Sequence, residues 1–111
     1  MKIFVDIDDT ICKNVSNTDY SNARPIMKNI TLINKLYDDG HEITYWSARG
    51  TVTGINWQKV TKNQFHQWGV KYHFLSLGEK PVFDLLIDDK VLNVNQIDSI
   101  YEMLKTIKAN E

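Results

Sequence analysis

A chain of 111 residues with 42% hydrophobic and 24% charged content has the size and make-up of one folded domain over 1–111, able to bury roughly 65% of the surface its extended form exposes. A formal charge of −1 supplies no broad basic field for tracking a phosphate backbone, so nucleic acid is not an expected partner. The lone Cys12 excludes an internal disulfide, and without a signal-peptide or membrane-spanning run the expected address is a reducing cytoplasm, with no membrane partner.

Lys2-Ile3-Phe4-Val5 runs into Asp6-Ile7-Asp8-Asp9-Thr10, an apolar, β-branched run that ends in three carboxylates. This is the pattern of a buried parallel strand whose carboxyl end opens into a site. Residues two apart share a face of a strand, so Asp6 and Asp8 are expected to project into one small volume. Two like charges about 4 Å apart repel by about 4 kcal/mol at an effective dielectric of 20, and a fold tolerates them with a cation or a proton between them. The plainer reading is a polar turn capping a helix.

Ile11 to Arg24 is rich in Asn, Ser, Thr and Asp, including Asn17 and Thr18, and reads as a loop or short hairpin able to act as a flap. Pro25 suits a first helical turn, and Ile26, Ile30, Ile33, Leu36 and Tyr37 recur at helical spacing until Gly40. Glu42 to Ser47 reads as a second strand ending in a hydroxyl, followed by Ala48-Arg49-Gly50. Trp57, Val60, Thr61, Gln64, Phe65 and Trp68 trace one side of a second helix closed by Gly69. A short third strand is expected around Tyr72 to Leu75, and a fourth over Val82 to Ile87 running into Asp88-Asp89. Val91 to Val94 is at most the stub of a fifth strand. Asn95 reads as the N-cap of a last helix with a buried stripe of Ile97, Ile100, Tyr101, Leu104 and Ile107.

Strands alternating with helical patterns predict an α/β fold, a small, mostly parallel sheet with helices on both faces. In such sheets ligands bind beyond the carboxyl ends of the strands. Asp6 and Asp8, Ser47, and Asp88 and Asp89 all fall at such ends. Three termini delivering acid, hydroxyl and acid to one edge make a purely structural reading improbable.

At these residues the chain resembles the haloacid dehalogenase superfamily of phosphotransferases. Asp6-Ile7-Asp8-Asp9-Thr10 is similar to its first motif, Ser47 to the second, Lys80 to the third and Asp88-Asp89 to the acidic fourth. More narrowly, the small size and the Trp46-Ser47-Ala48-Arg49-Gly50 and Ile87-Asp88-Asp89-Lys90 turns resemble small bacterial phosphatases of capsular or surface-polysaccharide biosynthesis. The resemblance implies a three-layer, Rossmann-like fold and a phosphomonoesterase working through an aspartyl-phosphate. It implies Asp6 as nucleophile, Asp8 as the acid that protonates the leaving oxygen and then activates water, and Ser47 with the backbone N–H of Ala48 on the phosphoryl oxygens. Lys80 would neutralise phosphate and Asp6. Mg²⁺ would be held by Asp6, the Asp8 carbonyl and Asp89, with Asp88 as an orienter; which of the last two binds directly stays open.

Magnesium also suits the chemistry, because the candidate ligands are oxygens and His41, His66 and His73 lack ligand spacing. Arg49 could clamp substrate, or pair with Asp88 or Asp9. Cys12 to Arg24 is too short for the cap domain of larger relatives, and Ala48 to Glu79 is consumed by one helix and one strand. The expected site is therefore open, admitting a bulky substrate or closed by a second subunit. A small phosphorylated metabolite such as a sugar phosphate is the expected partner. The alternatives are a polynucleotide 3′-phosphatase, a phosphoprotein phosphatase, or a receiver-type signalling module; the last needs an acid ending its third strand, where this chain has Ser76-Leu77.

Overall fold

The computed structural model describes residues 1–16 and 19–110, the last five of these as backbone alone. Asn17 and Thr18 of the polar loop and the side chain of Ile107 in the expected stripe lie outside the described residues. Nine elements follow in order: β1 (Lys2–Val5), β2 (Cys12–Lys13), β3 (Arg24–Pro25), α1 (Met27–Asp38), β4 (Glu42–Ser47), α2 (Gln58–Trp68), β5 (Phe74–Leu77), a 3₁₀ turn (Val94–Ser99) and α3 (Ile100–Asn110). The fold is α/β, with a parallel three-stranded sheet in the order β1-β4-β5.

The register explains which residues are inside. Ile3 pairs with Ile43, Val5 with Tyr45, and Tyr45 with Leu75, so these alternate positions share one face. Ile30, Ile33 and Leu36 of α1 and Phe65 of α2 join Val5, Ile43 and Tyr45 in the buried core, where the Tyr45 and Phe65 rings meet edge to face at 4.9 Å. Two successive right-handed crossovers stepping the same way across a sheet put both helices on the same side. The opposite face carries Phe4 and Phe74, which stay 60% and 56% exposed. Helices on both faces were the expectation; α1 and α2 cover one, and α1 is tied to the 3₁₀ turn by Lys28 to Asp98 at 2.9 Å and to α3 by Lys35 over the Tyr101 ring at 4.7 Å.

Other departures are local. Pro25 belongs not to the helix but to β3, opposite Cys12, and α1 starts at Met27. The expected hairpin exists, as β2 and β3. Asn93 rather than Asn95 caps the final helical stretch, its side-chain oxygen accepting from the Asn95 N–H at 2.9 Å. The expected fourth strand is not formed: Val82 to Ile87 stands outside the sheet with Ile87 89% exposed, and Val91 to Asn93 forms no strand either. An apolar run becomes a strand only where a ladder partner takes up its backbone groups, and β1 keeps its outer edge free among the described residues.

Candidate active site at the carboxyl end of β1

Beyond Val5 the alternation continues, with Val5 and Ile7 buried and Asp6 and Asp8 partly open. The chain then turns sharply. The Ile7 carbonyl accepts from the N–H groups of Thr10 and Ile11, and Asp9 takes a left-handed φ of 64° while its N–H bonds the Cys12 carbonyl at 2.9 Å. Asn29, buried on α1, donates its side-chain N–H to the Thr10 carbonyl at 2.8 Å, so the turn carrying the acids is fastened to the first helix. Asp9 points away to solvent and pairs with Lys13 at 3.2 Å.

Lys80 reaches Asp6 at 3.1 Å. Its ammonium lies over two aromatic rings, with Nζ 5.5 Å from the centre of Trp46 and 5.6 Å from that of Phe83. The loop delivering it is held by the Thr51 hydroxyl, which donates to the Lys80 carbonyl at 3.0 Å, and by the Gly78 N–H, which donates to the Ser47 carbonyl at 3.1 Å. Burial pushes the Asp6 carboxyl above its ordinary 3.8, against the lowering effects of Lys80 and of the Ile7 N–H, and the neighbouring Asp8 charge adds to the rise. Asp6 is thus an acid short of positive charge.

Ser47 ends β4 fully buried, and its hydroxyl oxygen accepts from the Arg49 N–H at 3.0 Å. Ala48 sits half-buried between them. Gly50 closes the turn at φ +87°, where a Cβ would collide with the Ile55 carbonyl oxygen, so only glycine fits there.

Arg49 is 1% exposed, and its partner is neither Asp88 nor Asp9 but Asp8. Nη2 meets Asp8 Oδ1 at 2.9 Å and Nε lies 3.1 Å from Oδ2 and 3.3 Å from Oδ1. Nη1 donates to Thr61 at 2.9 Å and to Gln64 at 2.7 Å. With Nη2 also 3.6 Å from the Cys12 sulfur, all five guanidinium N–H groups are directed at protein atoms, which leaves none for a substrate anion. The Tyr20 ring covers the guanidinium at 4.8 Å, and Gln64 donates to the Tyr20 carbonyl at 2.6 Å. Cys12 is buried beneath, its thiol pushed up to about 12 by desolvation and by the Asp8 charge, so it is a packed group and not a nucleophile.

Asp88 and Asp89 are not brought to these acids. Both are exposed, and among the described residues the groups acting on Asp6 are Lys80, Ile7 and Asp8. The Lys90 N–H, donating to Asp88 Oδ1 at 3.1 Å, holds that carboxyl below its ordinary value. Because the run before them does not enter the sheet, its end delivers nothing to the site, and among the described residues no cluster of three His, Cys, Asp or Glu side chains is gathered around one point. An open cleft of about 470 Å³ lies elsewhere, at the start of α2, lined by Asn56, Gln58, Lys59, Lys62 and Asn63.

Sequence pattern puts Thr61 and Gln64 on one side of a helix but points to no part in the site for them, for Tyr20 or Asn29, or for Asn14, which donates to Asp8 Oδ1 at 2.9 Å. The signal for two of them was present: Thr61 and Gln64 are polar residues on the buried stripe of a helix, and buried polar groups have partners.

No protein-family model and no curated protein matches this chain. It shares its fold with a crystal structure of a structural-genomics target from Vibrio cholerae, at a TM-score of 0.82 and 20% identity over 99% of this chain and 98% of that one. Among the described residues no helix is long and apolar enough to cross a membrane.

Proposed function

We propose that this protein is a Mg²⁺-dependent phosphomonoesterase of the haloacid dehalogenase type, hydrolysing a small phosphorylated metabolite, with a sugar phosphate of surface-polysaccharide synthesis as the favoured class. The observation that carries the reading is the pairing at one strand end of two differently dressed carboxylates. Asp6 meets a lysine at 3.1 Å, and Asp8 is gripped by a buried arginine at 2.9 Å. A phosphoester dianion repels an attacking carboxylate, so positive charge beside Asp6 is what such a nucleophile requires.

In this reading an Asp6 oxygen attacks phosphorus while the ester oxygen leaves with a proton from Asp8. Asp8 then takes a proton from the water that hydrolyses the aspartyl-phosphate. Ser47 and the Ala48 N–H bind phosphoryl oxygens, and Lys80 offsets their charge.

Magnesium, when bound, supplies Lewis-acid charge compensation. The donors at hand fit in part: the raised Asp6 carboxyl is an acid that a cation would relieve, and Mg²⁺ is commonly held by one or two carboxylates with waters and substrate oxygens. Asp6 and the Asp8 carbonyl are the candidate ligands; Asp89 is not gathered with them.

Turnover of p-nitrophenyl phosphate by wild type and Asp6→Asn, with Mg²⁺ and with EDTA, is the direct test. The expected outcome is a loss of at least about 10³-fold in the variant and silence in chelator. Equal rates in Asp6→Asn would remove the nucleophile, and full activity in EDTA would remove the metal. A screen of sugar phosphates, phosphopeptides and 3′-phosphorylated oligonucleotides then names the substrate class.

A further inference from the structure

We propose that Arg49 is a positioning residue that gives the two oxygens of Asp8 separate tasks, anchoring Oδ1 and leaving Oδ2 to carry the proton. The proposal rests on the phosphatase reading, in which Asp8 is the proton carrier.

The donors around Asp8 are unevenly shared. Oδ1 faces Arg49 Nη2 at 2.9 Å, Asn14 Nδ2 at 2.9 Å, Arg49 Nε at 3.3 Å and the Cys12 thiol at 3.5 Å. Oδ2 meets only Arg49 Nε, at 3.1 Å, among the described residues. The two 2.9 Å donors take up the lone pairs of Oδ1, whereas Oδ2 has only the single Nε–H, which leaves it a lone pair for a reacting proton. The side chain is thereby locked in rotation with one face committed to the protein.

The lock extends inward. Arg49 cannot shift without breaking its bonds to Thr61 and Gln64, and Gln64 also holds the Tyr20 carbonyl of the segment between β2 and β3. A planar guanidinium fork fixes two oxygens in one plane, which an ammonium cannot do. In the step itself, the proton on Oδ2 passes to the ester oxygen as the P–O bond breaks and the bond from phosphorus to Asp6 forms. A proton from water returns to Oδ2 during hydrolysis.

Leaving-group dependence separates this role from a purely structural one. A nitrophenolate departs without a proton and an alkoxide does not, so only alkyl esters need a correctly aimed Oδ2. The experiment measures kcat/KM, which reports steps through phosphoryl transfer to Asp6, for p-nitrophenyl phosphate and a simple alkyl phosphate in wild type, Asp8→Asn and Arg49→Lys. Arg49→Lys keeps the charge and loses the fork. The expected result is a loss about 10²-fold greater on the alkyl ester than on the aryl ester, in the same direction as Asp8→Asn.

If Asp8→Asn is selective for the alkyl ester and Arg49→Lys is not, the positioning role is wrong and the phosphatase reading stands. If Asp8→Asn itself shows no selectivity, the proton-carrier reading falls and this proposal with it. Should Arg49→Lys fail to fold, by its circular dichroism, Gln64→Met reads the same ratio. That variant deletes the 2.7 Å bond behind the guanidinium; about a tenfold change in the ratio is expected, and an unchanged ratio overturns the role.

Discussion

Asp6 and Lys80 form a contact whose sign is set by burial. The Asp6 carboxyl lies above its ordinary 3.8 because desolvation outweighs the lysine and the Ile7 N–H. The folded state therefore holds that proton more tightly than the unfolded chain, and stability falls as pH rises through the folded value. In metal-free buffer Asp6→Asn is expected to melt higher than wild type at neutral pH and to lose that advantage below pH 3.8. Melting curves across pH check it, and an Asn variant less stable at neutral pH would mean that the lysine contact outweighs burial. That Asp6 and Asp8 end one strand within reach of each other's charge was readable from period two alone. That Arg49 chooses Asp8 was not, because residue spacing carries no information about which acid a cation from another strand will meet.

Elements differ in how far local pattern determines them. β4 forms over Glu42–Ser47 as its β-branched and aromatic run predicts, and α2 closes at Gly69, whose φ of 70° is the left-handed cap a glycine provides. Gly50→Ala is expected to cost at least about 1 kcal/mol, because the added Cβ meets a main-chain oxygen in a turn that needs positive φ, and a lower thermal midpoint is the readout. Val82 to Ile87 has a strand's composition and no strand's partner. Pattern describes what a segment can become, while pairing depends on an edge elsewhere in the chain. Limited digestion with chymotrypsin is expected to cut first at Phe83, Leu85 or Leu86, identified by mass spectrometry. Protection of that stretch while other sites are cut would mean that it is paired in solution.

The whole molecule shares its architecture with a Vibrio cholerae protein at 20% identity, so the parallel sheet and its helices survive replacement of most side chains. The charged groups gathered at one strand end are where a ligand would be linked to global stability. Free Mg²⁺ at about a hundred times its dissociation constant is expected to stabilise wild type by about 2.7 kcal/mol, and Asp6→Asn much less. Differential scanning calorimetry with and without EDTA measures it, and equal shifts in the two proteins would locate the ion elsewhere. The fold class and the first acid pair were legible because periodicity and like-charge repulsion are local. The missing fourth strand and the partly exposed sheet face were not, because they depend on how distant segments share edges. The saturated guanidinium of Arg49 has a consequence for heredity: replacing Thr61 or Gln64 with an apolar residue strands a buried N–H. Positions 8, 49, 61 and 64 are thus bound to drift together or not at all, and an alignment of descendants will show them covarying as one unit.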